Sequence, residues 1–188
     1  LDFHDTIDWN RVHLYWGDER CVPPNDSESN YKMTVDHLLS KINIPEGNVH
    51  RIFGENIPVQ EAIRYSEVLE TRLPHFEGVP QFDLIILGMG DDGHTASVFP
   101  YNIHLWDSVN LCEVAIHPNS GQKRITITGK VINNSKKVAF LVTGDSKMHK
   151  IREIVNKMGD FSSYPAALVA PKSGNLEWFL DGAAAREL

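Results

Sequence analysis

The residues best suited to chemistry lie in one glycine-rich run, GMGDDGH at 88–94, which follows an apolar stretch at 82–87. Such a stretch is typical of a buried parallel strand, and open α/β sheets bind ligands beyond the carboxyl ends of their strands. Glycines let the backbone turn sharply there, so Asp92 and His94 can both project into a crevice. Imidazole accepts protons near neutral pH, and a carboxylate can orient it. The run therefore indicates a general base, and a surface loop with a chance histidine is the alternative.

Polar side chains also follow two other apolar stretches. Asp18 and Arg20 come after the stretch 11–16, and Lys147 follows the stretch 137–142 within the sequence TGDSK, where a helix is predicted to begin. A solvated charged turn and an exposed first-turn lysine are the ordinary alternatives for these residues. Sheet topology would bring all three strand ends to one edge. At 143–147, the glycine turn, the helix N-terminus and the lysine together are suited to bind a phosphate group.

One mechanism would use these residues together. Arg20 and Lys147 would hold an anion, His94 would transfer a proton, and Asp92 would orient the histidine. The three strand ends are therefore interpreted as parts of a single site.

The elements that position these residues alternate along the chain between apolar runs and amphipathic stretches. This alternation predicts an α/β fold, a doubly wound, mostly parallel, Rossmann-like sheet flanked by helices. Strands are expected at 11–16, 82–87, 114–116, 125–127 and 137–142, and the segments 166–169 and 178–180 are expected to supply one or two more. Helices are expected at 31–42, with Ser29 or Ser27 as N-cap, at 59–73 and from 147. The inward residues expected are Val59, Ala62, Ile63, Leu69 and Leu73 in the second helix and Met148, Ile151, Val155 and Met158 in the third.

Composition favours one globular domain, because 188 residues that are 41% hydrophobic can bury a substantial core. The net charge of −7 argues against a nucleic-acid surface. No apolar run approaches the roughly 20 residues that cross a bilayer, so no membrane association and a cytoplasmic location are expected.

Cys21 and Cys112 lie far apart without zinc-site spacing, so neither a disulfide nor a metal site is expected. A monomer or weak dimer is the expected state.

Four motifs carry a resemblance to a known family. The segments YWGDER at 15–20, GMGDDGHTASVFP at 88–100, RITIT at 124–128 and WFLDGAAA at 178–185 resemble the 6-phosphogluconolactonase family in order and spacing. The resemblance implies hydrolysis of 6-phospho-D-glucono-1,5-lactone to 6-phospho-D-gluconate in the oxidative pentose phosphate pathway, with no metal or organic cofactor. It also implies the site residues, which are His94 as base, Asp92, Asp18 and Arg20 beside it, and Lys147 and Arg124 at the substrate phosphate.

The chemistry can be followed from the residues as well. Hydrolysis of a δ-lactone needs a positioned water, a base and a donor for the developing oxyanion. Ser97 lies near His94 but without the G-x-S-x-G pattern of a nucleophilic serine, which favours direct attack by water. Arg20 could meet either the oxyanion or the phosphate, and the sequence does not distinguish the two.

Two alternatives remain, an enzyme of similar fold and a binding protein of a different class. Glucosamine-6-phosphate deaminase is an enzyme of similar fold. Such deaminases carry Asn-Glu shortly after the histidine, and the glutamate takes part in a proton relay. This chain has Val98 and Phe99 there, which cannot relay a proton. A non-catalytic sugar-phosphate sensor of a transcriptional regulator would need a DNA-binding segment and would have no reason to keep His94 beside Asp92.

The resemblance also predicts a missing part. The family has a strand ending in a Gly-Gly-Ser/Thr-Thr-Pro phosphate loop ahead of the Asp-Glu-Arg strand, and nothing similar precedes Arg11. We therefore expect residues 1–188 to form a single, N-terminally incomplete sugar-phosphate lactonase domain. Leu1 would then not be the natural start, and an upstream segment would supply the strand and the loop.

Overall fold

Short strands and helices alternate through the computed structural model, which describes residues 3–188. The strands are β1 (Leu14–Tyr15), β2 (Asp18–Arg20), β3 (Val49–His50), β4 (His75–Phe76), β5 (Val79–Pro80), β6 (Ile85–Leu87), β7 (Cys112–Ile116), β8 (Lys123–Ile127), β9 (Val138–Val142) and β10 (Leu176–Leu180). The α-helices are α1 (Asn30–His37), α2 (Pro58–Arg72), α3 (Gly129–Ile132) and α4 (Met148–Asn156). Several 3₁₀ turns connect them.

Two parallel sheets establish the α/β class, which confirms the predicted fold class. The strands β6, β9 and β10 pair in parallel in the order β10-β9-β6, and β1 pairs in parallel with β3. Residues Leu87, Phe140 and Val142 of the first sheet are buried, which shows that one face of this sheet packs against the core. The carboxyl ends of β6 and β9 lie at one edge, and the glycine-rich run and the segment with Lys147 leave from that edge.

A third sheet is antiparallel and has the strand order β2-β8-β7. The strands predicted at 114–116 and 125–127 are its β7 and β8. The alternative considered for Asp18 and Arg20, a solvated charged turn, is wrong, because both residues lie in β2, which was not predicted as a separate strand after the one expected at 11–16. Its middle residue, Glu19, is only 2% exposed, because the carboxylate accepts hydrogen bonds from neighbouring backbone and side-chain groups. Residues of a strand alternate between its faces, so Asp18 and Arg20 share the face opposite Glu19.

The helices differ from prediction in the faces that they bury. In α2, Ala62 and Leu69 are buried as predicted, but Val59 and Ile63 are 62% and 58% exposed, and Glu61 and Tyr65 complete the buried face. The Glu61 carboxylate accepts a hydrogen bond from the Phe53 backbone N–H at 2.7 Å, and the Tyr65 hydroxyl bonds the Trp16 backbone. Both polar groups are therefore satisfied inside the protein, which allows this face to be buried.

Near the carboxyl end, two further expectations are met only in part. Ile151 of α4 is fully buried as predicted, but Val155 and Met158, which lies beyond the helix, are half exposed. Of the two segments expected to supply one or two strands, 178–180 lies in β10, whereas 166–169 forms a 3₁₀ turn, Pro165–Leu168, that packs behind the glycine-rich run. The backbone N–H of Ala166 donates to the carbonyl of Gly93 at 3.0 Å. No helix within residues 3–188 is both long and apolar enough to span a membrane.

A groove of about 550 Å³ separates the two parallel sheets. Residues 11–17 line one side and residues 81–86 the other, so the edges of β1 and β6 both face it. Within the described part of the chain, β1 pairs only with β3 and β6 only with β9. Ile86, Leu141 and Phe179 of the larger parallel sheet are exposed large hydrophobic side chains. The two parallel sheets thus end at unpaired edges with a largely apolar groove between them.

Candidate active site

The glycine-rich run after β6 folds back on itself as a tight turn. The backbone N–H of Gly93 donates to the Gly90 carbonyl at 3.0 Å, and the N–H of Gly90 donates to the His94 carbonyl at 2.9 Å. A Cβ on Gly90 would overlap the imidazole of His94 and lie 2.9 Å from Asp92 Oδ1. Gly93 has φ +84°, and a Cβ there would lie 2.7 Å from Tyr164 Cβ. The two glycines are needed for the close approach of the ring and for the turn itself.

This turn brings His94 and Asp92 into direct contact. Asp92 Oδ1 lies 2.6 Å from His94 Nδ1 and also accepts the backbone N–H of His94 at 3.0 Å. Burial opposes ionisation of Asp92, but the hydrogen bonds from the His94 side chain and backbone outweigh it, so the pKa of Asp92 is lowered. The carboxylate fixes the proton on Nδ1, which leaves Nε2 as the nitrogen that can accept a proton.

The ring of His94 rests on a buried aromatic side chain. Phe99 is fully buried, and its ring centroid lies 4.5 Å from that of His94. The guanidinium carbon of Arg124 lies 5.7 Å from the same ring centroid. Phe99 therefore lies next to both the histidine and the arginine.

Asp18 and Arg124 approach the histidine turn from the antiparallel sheet. Ser97 Oγ donates to Asp18 Oδ2 at 2.6 Å, and Ser97 N–H donates to Thr126 Oγ1 at 3.1 Å. Arg124 NH1 lies 4.0 Å from Asp18 Oδ2 and 3.5 Å from Ser97 Oγ. Ser97 thus ties the segment after His94 to β2 and β8, consistent with an orienting serine rather than a nucleophile.

Two arginines stand opposite each other in this sheet. Arg20 of β2 pairs with Arg124 of β8, so the two side chains share one face. The Arg124 side chain is only 12% exposed, and burial together with the charge of Arg20 lowers its pKa. The Nε atoms of both arginines are buried and find no hydrogen-bond partner among the described residues. Two underpaired guanidinium groups held together are suited to bind an anion.

Lys147 lies at the same edge, next to the glycine-rich run. It ends a 3₁₀ turn that precedes α4, and its ammonium forms an ion pair with Asp91. Ser146 Oγ donates to the same carboxylate at 3.1 Å. The turn is held in place by Asp181, which accepts the backbone N–H of Gly144 at 3.2 Å. The structure therefore places Lys147 beside the residue that precedes Asp92, with an acidic partner already in contact.

The structure adds residues that the sequence did not single out. Asn30 lies between Asp18 and Arg20 and contacts both, and Tyr164 packs against the glycine turn. The only signal for Asn30 is its place after Ser29 in a run of capping residues, DSESN at 26–30, and this indicates a helix start rather than a site.

Comparison with known proteins places these features in a family. The family model described as glucosamine-6-phosphate isomerases/6-phosphogluconolactonase matches residues 2–178. A 6-phosphogluconolactonase of Haemophilus influenzae is 47% identical over 186 residues, which cover 99% of this chain and 78% of that protein. One from Treponema pallidum is 46% identical over 155 residues, which cover 82% of this chain and 64% of that protein. The chain therefore spans about two thirds to three quarters of these relatives.

Solved structures agree with the sequence comparison. A crystal structure named devB protein matches with TM-score 0.94 at 44% identity, covering 99% of this chain and 78% of that one. The 6-phosphogluconolactonase of Thermotoga maritima matches with TM-score 0.81 at 31% identity, covering 93% of this chain and 74% of that one. A monomeric glucosamine-6-phosphate deaminase matches with TM-score 0.80 at 18% identity, which shows the shared fold alone. This chain belongs to the glucosamine-6-phosphate isomerase/6-phosphogluconolactonase family.

Proposed function

We propose that this chain hydrolyses 6-phospho-D-glucono-1,5-lactone to 6-phospho-D-gluconate, as a 6-phosphogluconolactonase. Its relatives of 46% and 47% identity carry that name. The observation that carries the mechanism is the His94–Asp92 pair beside two underpaired arginines. A base next to a cationic surface is what hydrolysis of an anionic ester requires.

In the proposed reaction, His94 acts first as a base and then as an acid. Nε2 takes a proton from a water whose oxygen bonds to the lactone carbonyl carbon, and the carbonyl oxygen becomes an oxyanion. Asp92 stabilises the imidazolium that forms. Collapse of the tetrahedral intermediate breaks the bond to the ring oxygen, and that oxygen receives the proton from the imidazolium. The histidine is returned to its neutral state without an acyl-enzyme.

Substrate binding is assigned to the cationic groups. Arg20 and Arg124 face the same space, and Lys147 lies at the edge of the glycine turn. The net charge of −7 makes such a local cluster necessary for a phosphorylated substrate. We assign Arg124 and Lys147 to the phosphate and Arg20 to an anionic group of the substrate, with Asp18 holding Ser97 beside them.

His94→Ala tests the base in the full-length protein. The kcat should fall by on the order of 10²–10⁴-fold with little change in KM, because only proton transfer is removed. The lactone must be generated fresh and its spontaneous hydrolysis subtracted. His75→Ala, which removes a partly exposed histidine on β4, serves as the matched control. Near-normal turnover in His94→Ala would remove this residue from the mechanism.

The deaminase reaction is tested in the same experiment. Val98 and Phe99 follow the histidine and are fully buried apolar residues, so neither can relay a proton. We therefore expect no ammonia release from glucosamine 6-phosphate under conditions in which the lactone is hydrolysed. Ammonia release at a comparable rate would contradict the lactonase assignment.

We propose further that the groove between β1 and β6 receives a β-strand from upstream polypeptide, which joins the two parallel sheets into one domain. Its support is the pair of unpaired edges and the greater length of the relatives. Residues 1–188 expressed alone should bind a hydrophobic dye and melt at a lower temperature than the full-length protein. Equal melting temperatures and equal activity would contradict this arrangement.

The remaining expectations concern the setting of the enzyme. We propose a cytoplasmic protein that acts on a small sugar phosphate, binds neither nucleic acid nor membrane, needs no cofactor, and is a monomer or weak dimer. Its acidic net charge supports the exclusion of nucleic acid. Light scattering after size-exclusion chromatography measures the oligomeric state. A stable tetramer would contradict the proposed monomer or weak dimer.

A further inference from the structure

The side chain of Asn30 bridges two residues of the candidate site. Its Nδ2 donates to the Asp18 backbone carbonyl at 3.0 Å and to Asp18 Oδ1 at 3.3 Å. Its Oδ1 accepts a hydrogen bond from Arg20 NH1 at 2.8 Å. One amide therefore holds the carboxylate and the guanidinium that share a face of β2.

The backbone of Asn30 is fixed independently of this side chain. The buried carboxylate of Glu19 accepts the N–H of Asn30 and that of Tyr31, both at 2.7 Å, and the hydroxyl of Ser29 at 3.0 Å. Ser29 also caps α1 by accepting the Lys32 N–H. Shortening the Asn30 side chain leaves all these bonds in place, so the helix start should persist without the amide.

The amide determines which edge of Arg20 is available. Both hydrogen bonds of the Arg20 guanidinium are made by NH1, to Asn30 Oδ1 and to the Glu28 carbonyl at 2.7 Å. The opposite edge of a guanidinium carries Nε and NH2, the pair that binds carboxylate or phosphate in bidentate fashion. In Arg20 this Nε is buried and without a partner among residues 3–188.

We propose that Asn30 is a positioning residue for lactone hydrolysis, holding NH1 of Arg20 so that the Nε–NH2 edge faces the anionic group of the substrate. The role rests on the proposed function. It acts through Arg20 and through Asp18, whose Oδ2 accepts the Ser97 hydroxyl at 2.6 Å and so reaches the segment after His94. Without the amide, the guanidinium loses one of its two anchors.

Asn30→Ala in the full-length protein tests this role, with Ser29→Ala as the matched control. Both variants shorten one polar side chain at the start of α1, but only the first loses contact with Arg20 and Asp18. Ser29→Ala should lower the melting temperature and leave kcat and KM within about twofold, since it removes a helix cap. Asn30→Ala should lower kcat/KM by on the order of 10–100-fold, as expected for lost hydrogen bonds to charged groups.

Separate effects of Asn30→Ala on KM and on kcat identify which anionic group of the substrate Arg20 binds. A rise in KM for the phosphorylated lactone, without an effect on unphosphorylated glucono-1,5-lactone, assigns the Arg20 edge to the phosphate. A fall in kcat on both lactones assigns it to the oxyanion. In an Arg20→Ala background, Asn30→Ala should add less than about threefold, because the guanidinium that it positions is gone and only its hydrogen bonds to Asp18 remain to be lost.

Failure of the inference and failure of the function give different results. If the wild-type protein hydrolyses the lactone but Asn30→Ala has the same kcat and KM as Ser29→Ala, the positioning role is overturned. Full additivity of Asn30→Ala and Arg20→Ala would overturn it as well. A wild-type protein that does not hydrolyse the lactone would instead overturn the proposed function.

Discussion

Replacing Asp92 by asparagine separates the charge of this residue from its geometry. Asp92 Oδ1 accepts both the ring Nδ1–H and the backbone N–H of His94. Because the backbone N–H requires an oxygen at that position, the amide of the Asp92→Asn variant should turn its oxygen toward the histidine. The proton then stays on Nδ1, and Nε2 remains the acceptor. Only the negative charge beside the imidazolium is lost.

The size of the effect follows from this contact. A hydrogen bond to a charged group contributes about 1.5–3 kcal/mol, and one between neutral groups about 0.5–1.5 kcal/mol. The difference between the midpoints of these ranges, about 1.25 kcal/mol, corresponds to roughly eightfold in kcat. The Asp92 side chain is 43% exposed, and solvent screening keeps the loss from exceeding this value. Asp92→Ala also removes the acceptor that orients the ring, so its kcat should be about 100-fold lower than that of the wild-type protein.

The assay couples freshly generated 6-phosphogluconolactone to oxidation of the 6-phosphogluconate that is produced, with the spontaneous rate subtracted. Asp83→Asn is the control, since it removes an exposed carboxylate that pairs with Lys136 on the surface. The expected order of kcat is wild type, Asp92→Asn, Asp92→Ala and His94→Ala. An Asp92→Asn variant as slow as His94→Ala would refute the retained tautomer, and one as fast as wild type would refute stabilisation of the imidazolium.

Four other perturbations test the glycine-rich turn and the lysine beside it. Gly90→Ala should abolish measurable turnover while the protein still folds, because the added Cβ overlaps the His94 ring, and a circular dichroism spectrum checks folding. Lys147→Ala should raise KM more than it lowers kcat, whereas Asp91→Asn should lower KM about two- to fivefold by freeing Lys147 from its ion pair. Because the pKa of Asp92 is lowered on folding, its stabilisation is present above the unfolded pKa and lost as pH falls through the folded pKa. The difference in melting temperature between wild type and Asp92→Asn at pH 7 should therefore disappear in acid.

Local sequence patterns predicted those parts of the protein that depend on neighbouring residues. The glycines and the Asp92–His94 spacing predicted a turn after a buried strand, and the structure places that turn after β6. The hairpin of β7 and β8 and the cap at Ser29 were predicted for the same reason. In each case the determining interactions lie within a few residues along the chain.

The wrong expectations depend on partners far away in sequence. Strand β2 was not predicted, because burial of Glu19 requires donors at Ser29, Asn30 and Tyr31, which no local pattern reveals. The inward face of α2 was misassigned at Val59 and Ile63, because a glutamate is ordinarily a surface residue and a tyrosine is often partly exposed. Their burial depends on hydrogen bonds to residues up to 49 positions away.

The two kinds of sheet contribute different parts of the candidate site. The parallel sheet presents the proposed base, His94, because the turn after β6 lies at its carboxyl edge, and the antiparallel sheet presents the paired arginines on one face of β2 and β8. The hydrogen bond between Ser97 and Asp18 joins these parts directly. Because the arginines belong to a different sheet from the base, a change that shifts β2 should alter anion binding while the His94–Asp92 contact, which lies within three residues, persists. This separation is why a residue remote from the base in sequence, such as Asn30, can control how the substrate is held.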